Sequence, residues 1–236
     1  MKRVVVLADV HGNLPALAAV LAEPEVAAAD LVISAGDAVA GPMPVECFDA
    51  LAALGDRVLF VRGNADREVV ARSEQHGSAW CARLLGEERL ARIAAWPLAV
   101  SVDVDAVGRV LVCHAVPSDD YAIVTRVTPD AEFEAAFAGA EADVAACGHT
   151  HIQFDRPAGR VRVVNAGSVG APYEGRRGAF WLLLGPGIEH RRTEYDTEAA
   201  VAAIRATEGP TAEELAGWLL DPPDPDEISA YFESLR

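Results

Sequence analysis

The sequence predicts an α/β fold in which mixed sheets are covered by helices on both faces. Short runs of Val, Ile and Leu alternate with helical patterns through the first half of the chain. Hairpin patterns enter in the second half, and neither half contains an internal repeat or a low-complexity tract. Residues 4–8 form an unbroken apolar run that reads as a buried strand. A helix opens after it near Asn13, with Pro15 in the first turn, where a missing N–H does no harm. Residues 31–34 are a second strand, 46–54 a second helix and 58–61 a third strand. A polar helical stretch over about residues 66–96, broken near Gly77 and Gly86, reads as a helical insert. Residues 98–104 and 109–113 pair as a hairpin around Ala106–Gly108. Further strands are expected at 144–147, 161–165 and 179–184. Helical patterns starting at Glu198, Thr211 and Glu227 make residues 197–236 a helical appendage to a single domain spanning 1–236.

Composition narrows the function classes. With 51% hydrophobic and 24% charged residues the chain is an ordinary globular protein. Its 36 acidic and 20 basic residues give a net charge of −16, which argues against nucleic acid and anionic membranes as general partners. No apolar run is long enough to span a bilayer, and the stretch after Lys2 and Arg3 stops at Asp9, too soon for a signal sequence. The four cysteines lack paired spacing, and Cys113 and Cys147 lie within apolar runs. A reduced, cytoplasmic protein is the expectation. A homo-oligomer is left open.

The informative feature is where polar residues fall relative to the strands. Asp9 and His11 follow the first strand and Asp37 the second. Asn64 follows the third strand, His114 the hairpin, and His149 and His151 the strand after it. In open α/β sheets, ligands bind beyond the carboxyl ends of strands, so these side chains are expected to share one crevice. Each block alone is a common turn sequence. Their order and their shared position at strand ends make the set specific. Two aspartates, an amide oxygen and four imidazoles suit Mn, Fe, Zn or Ni better than Ca²⁺ or a structural zinc. Seven donors are too many for one ion with an open position and fit a pair. Gly36, Gly63 and Gly148 are expected to turn the chain sharply at the strand ends.

These blocks, Asp9-x-His11, Gly36-Asp37, Gly63-Asn64, His114 and Gly148-His149-Thr150-His151, resemble the calcineurin-like metallophosphoesterases over roughly residues 1–185. The segment from Asn165 to Gly170 is similar to the one that follows the last ligands in small prokaryotic members. The resemblance implies a four-layer α/β/β/α sandwich and two divalent transition-metal ions, Mn²⁺ first and Fe, Zn or Ni next. By it, Asp9, His11 and His151 hold one ion, Asn64, His114 and His149 the other, and Asp37 bridges them. A bridging hydroxide would then attack the phosphorus of a small-molecule phosphate ester.

The sequence departs from the family at Ala65, where members usually carry a histidine that protonates the leaving group. Asp66 is the candidate replacement, alongside a plain helix N-cap reading. The candidate catalytic residues are therefore Asp37, Asn64 and Asp66, with Asn13 and Arg62 as substrate contacts. Trp80, Trp96, Tyr121 and Tyr173 are read as packing residues and His76 and His190 as surface residues. A phosphodiesterase for small diesters or activated aryl esters is the leading reading. A phosphomonoesterase or protein phosphatase on the same site is the alternative, and a non-catalytic metal-binding scaffold is the second.

Overall fold

The computed structural model describes residues 1–236, with elements β1 (Val4–Leu7), α1 (Leu14–Leu21), α2 (Pro24–Ala27), β2 (Leu31–Ala35), α3 (Pro44–Ala52), β3 (Val58–Val61), α4 (Asn64–Val70), α5 (Ser78–Ala94), β4 (Ala99–Val104), β5 (Gly108–Cys113), α6 (Asp130–Phe137), β6 (Val144–Cys147), β7 (Phe154–Ala158), β8 (Val161–Asn165), β9 (Ala179–Leu184), β10 (Ile188–Thr193), α7 (Thr197–Arg205), α8 (Ala212–Leu220) and α9 (Pro225–Ser234). The strands form two five-stranded mixed sheets, ordered β10-β9-β1-β2-β3 and β4-β5-β6-β8-β7. β1, β2 and β3 are mutually parallel in the first; β5, β6 and β8 are parallel in the second.

Strand alternation explains the layers. On β1, Val4 and Val6 point into a core shared with Val102, Val110, Val112, Val144 and Val164 of the second sheet. Val5 and Leu7 point the other way, into a core with Leu17, Phe48 and Leu85 of α1, α3 and α5. A strand covered on both faces has no polar side to show, which is why these runs are apolar throughout. On the outer face of the second sheet, Phe133 and Phe137 of α6 pack over Cys113, Ala145 and Val163. The result is the four-layer α/β/β/α sandwich.

Local signals set the element ends. The Asn13 side chain accepts the Ala16 N–H at 3.2 Å and caps α1, with Pro15 just inside. Gly86 interrupts α5 with φ 72° and ψ 167°, a conformation open to glycine. Trp96 closes the stretch by stacking on Phe60 at 4.6 Å, and so packs as expected. β7, β10, α2 and α6 are elements beyond those expected. β7 and β10 lie at sheet edges, where Pro157 and the charged run from Glu189 to Arg192 are tolerated and obscure the strand pattern.

Residues 197–236 do more than append. Val201 and Ile204 of α7 pack with Leu215 and Leu219 of α8 against Ala171. α9 buries little and is tied by polar contacts. Glu233 accepts from Thr125 Oγ1 at 2.6 Å and also from Thr128, and Arg236 reaches Glu132 at 2.7 Å. No helix is long and apolar enough to cross a membrane.

Candidate metal and active site

At the carboxyl ends of β1, β2 and β6 the chain turns abruptly, and it does so on the candidate ligands themselves. Asp9, His11, Asp37, His149 and His151 all have positive φ, between 45° and 70°. They are five of only nine non-glycine residues in that region of backbone space. Each such residue costs roughly 1–2 kcal/mol relative to ordinary backbone. The surrounding hydrogen bonds hold them there. The Asp9 N–H donates to the Gly36 carbonyl at 3.0 Å and the His11 N–H to the Asp37 carbonyl at 2.9 Å. The Gly148 N–H donates to the His114 carbonyl at 2.8 Å, and the His149 N–H to Asp9 Oδ2 at 2.9 Å, joining the two sheets across the cleft. The segment from 165 to 170 braces this joint. Ser168 Oγ donates to the Asp9 carbonyl at 2.7 Å, and Asn165 Nδ2 to the Gly148 carbonyl at 2.6 Å.

The glycines serve two purposes. Gly36 turns the chain at φ 94°, as expected. Gly63 and Gly148 have no positive φ and are needed for close approach instead. A Cβ on Gly63 would lie 2.1 Å from Asp37 Oδ1, and one on Gly148 2.4 Å from Asp9 Oδ2.

Two clusters result, Asp9–His11–His151 and Asp37–His114–His149, each with its ligand atoms within 4.8 Å of one another. Asn64 Oδ1 joins the second, 3.1 Å from His114 Nε2. Asp37 Oδ2 lies between the clusters, 3.7 Å from His11 Nε2 and 3.3 Å from His114 Nε2.

The outer ring nitrogen of every histidine faces a backbone carbonyl. His11 Nδ1 meets Ala40, His114 Nδ1 meets Ala35, His151 Nδ1 meets Ala171 and His149 Nε2 meets Tyr121. A carbonyl only accepts, so these outer nitrogens carry the protons and the inner ones turn lone pairs inward. His11 Nε2 and His151 Nε2 consequently sit 3.1 Å apart, and His149 Nδ1 is 3.2 Å from His114 Nε2. Asp9 Oδ1 is fully buried among them and accepts no hydrogen bond. Lone pairs converging on a buried, unpartnered carboxylate oxygen fit a cation, so the residues present suit divalent ions.

Acid–base behaviour agrees. Burial draws the His149 pKa down to about 4 and lowers that of His11, keeping both free of an inner proton at neutral pH. Burial also pulls on His114, but Asp37 and Asp9 outweigh it and raise it to about 10, so in their metal-free form the pair holds a proton where a cation would sit. Both aspartates stay ionised. Burial raises them, and the facing imidazoles bring them below the usual carboxylate range.

Three expected functional residues do not reach the cavity. Asn13 is fully buried, its amide donating to the Gly170 carbonyl at 2.9 Å while its oxygen caps α1. Arg62 turns to Asp120, with Nε 3.6 Å from Oδ2, and Arg67 grips the same carboxylate with both Nε and Nη2. Asp66 is also fully buried; Oδ2 accepts the Asp37 and Gly63 N–H groups and Oδ1 those of Ala38 and Val39, at 2.8–3.2 Å. Burial and neighbouring Asp37 push its pKa up to about 7, and the N–H donors act against that rise. Asp66 therefore builds the loop that carries Asp37 and holds no proton over the substrate space. Ala65 does face that space, as a bare methyl.

The cleft opens into a cavity of about 310 Å³. Tyr121 and Tyr173, read as packing residues, line it, and so does His76. Sequence reasoning missed Glu68, Glu214, Trp218 and Phe232, which line it too. The only trace these left in the sequence was the apolar spacing of Leu215, Trp218 and Leu219 on α8. His190 is half-buried and donates to the Asn165 carbonyl at 3.0 Å, behind the site.

The fold and this cluster define a phosphoesterase of the metal-dependent kind, and sequence comparison agrees. The chain belongs to the calcineurin-like phosphoesterase superfamily, whose domain is matched over residues 1–184. The chain is similar in structure to a metallophosphoesterase from Sphaerobacter thermophilus, with TM-score 0.77 and 24% identity over 94% of this chain and 99% of that one. It is likewise similar to a hypothetical protein from Pyrococcus horikoshii OT3, with TM-score 0.80 and 20% identity over 95% and 100% of the two chains. At these identities the likeness is one of fold. No curated protein matches the chain.

Proposed function

We propose that the chain binds two divalent ions and hydrolyses small phosphodiesters. The observation that supports this above all is the convergence of four inward imidazole nitrogens on buried Asp9 and Asp37. Asp9, His11 and His151 would hold one ion, Asn64, His114 and His149 the other, with Asp37 Oδ2 between them. When bound, the ions supply Lewis-acid polarisation of the phosphoryl group and water made acidic enough to deprotonate near neutral pH. The chain's part is to fix the donors. The four carbonyls orient the rings, and the Ala65 N–H, donating to Asp37 Oδ1 at 2.8 Å, leaves Oδ2 free to face both clusters.

Charge favours a diester. No lysine or arginine lines the cavity, whereas Glu68 and Glu214 do. Two divalent ions against two ionised aspartates leave a surplus of about +2, which Glu68 and Glu214 offset, so a diester monoanion meets less uncompensated negative charge than a monoester dianion. With Ala65 at the leaving-group side and Asp66 out of reach, esters with good leaving groups are favoured further. With Mn²⁺, bis(p-nitrophenyl) phosphate is expected to be turned over at least about tenfold faster, by kcat/KM, than p-nitrophenyl phosphate. The opposite preference would overturn the diester reading.

Metal loading gives a second test. At ion concentrations a hundredfold above Kd, linkage adds about 2.7 kcal/mol to stability, or roughly 5–10 °C in Tm for a chain of this size. Mn²⁺ is expected to produce that rise, with proton release as His114 gives way, and a chelator to reverse it. Elemental analysis should find close to two ions per chain. Absence of uptake, with no change in Tm, would leave a scaffold.

A further inference from the structure

One wall of the cavity is built largely from residues beyond 184, where the match to the superfamily domain ends. α8 supplies Glu214, Leu215 and Trp218, and α9 supplies Phe232. They meet Tyr173, whose ring stacks on the candidate ligand His151 at 4.7 Å and 20°. Trp218 stands edge-on to Tyr173 at 5.5 Å, and Phe232 lies 6.4 Å from it. An aromatic wall therefore starts at a metal-ligating imidazole and runs outward along the roof. Trp218 and Phe232 are only half-buried, so each leaves ring surface facing the cavity. Glu68, half-buried on α4, and Glu214, exposed on α8, are the charged groups flanking the space.

We infer that α8 and α9 form a subsite for the organic half of the ester, which takes a planar aromatic or apolar alcohol group bearing no negative charge. The inference rests on the phosphoesterase reading above and specifies which esters the site accepts. Phosphorus positioned by the ligand cluster places one ester substituent against Tyr173 and Trp218. There, ring stacking and burial of apolar surface reward a flat group and give a methyl group little. A substituent with its own anion meets Glu68 and Glu214 without a basic partner, so it loses hydration and gains repulsion.

Bis(p-nitrophenyl) phosphate and methyl p-nitrophenyl phosphate share a leaving group and a charge and differ in the second substituent. The bis ester is expected to show a KM at least about tenfold lower with the Mn²⁺-loaded protein. Trp218→Leu keeps an apolar side chain on α8 and is expected to bring the KM ratio of the two esters toward one. Phe232→Leu, on the polar-tethered α9, does the same should the first variant fold poorly. Calorimetry gives a readout that needs no turnover. Diphenyl phosphate is expected to bind at least about tenfold more tightly than dimethyl phosphate, and bis(4-carboxyphenyl) phosphate, whose rings carry carboxylates, to bind weakly. Glu68→Gln with Glu214→Gln should narrow the gap between diphenyl phosphate and the carboxyphenyl ester. Equal binding of the diphenyl and dimethyl esters, or variants that leave every ratio unchanged, overturns the subsite. Trp218-dependent binding of diphenyl phosphate without turnover of any ester would keep the subsite and remove the hydrolase reading.

Discussion

Asp37→Asn is expected to lower turnover of bis(p-nitrophenyl) phosphate by at least about a thousandfold while the chain stays folded. Asp37 has two separate duties. Oδ1 accepts the Ala65 N–H at 2.8 Å, and an asparagine oxygen can continue to do so. Oδ2 faces His11 and His114 from 3.7 and 3.3 Å, and there the substitution replaces an anion with an N–H donor group. An amide N–H donor would then stand where the two ions would need a shared acceptor. Electrostatic stabilisation by a bound ion is worth several kcal/mol, and each 1.36 kcal/mol is tenfold in rate, which sets the expected loss. Native circular dichroism with the Mn²⁺-dependent rise in Tm diminished would locate the defect in the ion site. Turnover within tenfold of the parent would show that Asp37 is not the residue on which both clusters depend.

How much of this was legible beforehand follows from which interactions are local. β1, β2, β6 and β9 could be read because strands buried on both faces carry continuous apolar runs, β3, β5 and β8 because each still carries a short Val- or Leu-rich run, and the seven polar residues stand within a few positions of such runs. β7 and β10 were hidden because Pro157 and the charged run from Glu189 to Arg192 interrupt their apolar pattern, which an edge position tolerates. The site was legible on the side of the candidate ligands, where each donor sits close after a strand end. Its opposite side was not. Trp218 and Phe232 lie on helices whose position depends on packing over Ala171 and on ties such as Glu233 to Thr125, separated by 108 residues along the chain. Asn13, Arg62 and Asp66 show the reverse case. Proximity in sequence to the ligand blocks suggested contact with substrate, yet each side chain turns back to satisfy backbone or carboxylate groups. Positive φ at five candidate ligands was not readable either, since Asp and His tolerate that region more often than most residues but occupy ordinary backbone far more often.

Asp66 offers the sharpest separation of structural from catalytic duty. Four N–H groups, from Asp37, Ala38, Val39 and Gly63, are satisfied by this one buried carboxylate. Each donor left unpaired in the interior costs roughly 1–3 kcal/mol, so Asp66→Ala is expected to lose more than about 4 kcal/mol in urea unfolding of the metal-free protein. Asp66→Asn is expected to lose about half as much. Its oxygen can retain the Ala38 and Val39 donors while the amide nitrogen faces those of Asp37 and Gly63. Because Asp37 rides on this loop, activity should fall in step with stability across the two variants. A general acid would behave differently. It would be lost with little change in unfolding free energy, and the rate would fall most for esters with poor leaving groups. An Asp66→Ala protein that unfolds within about 1 kcal/mol of the parent yet hydrolyses nothing would restore Asp66 to the chemistry and require the cavity to reach it by a movement of α4.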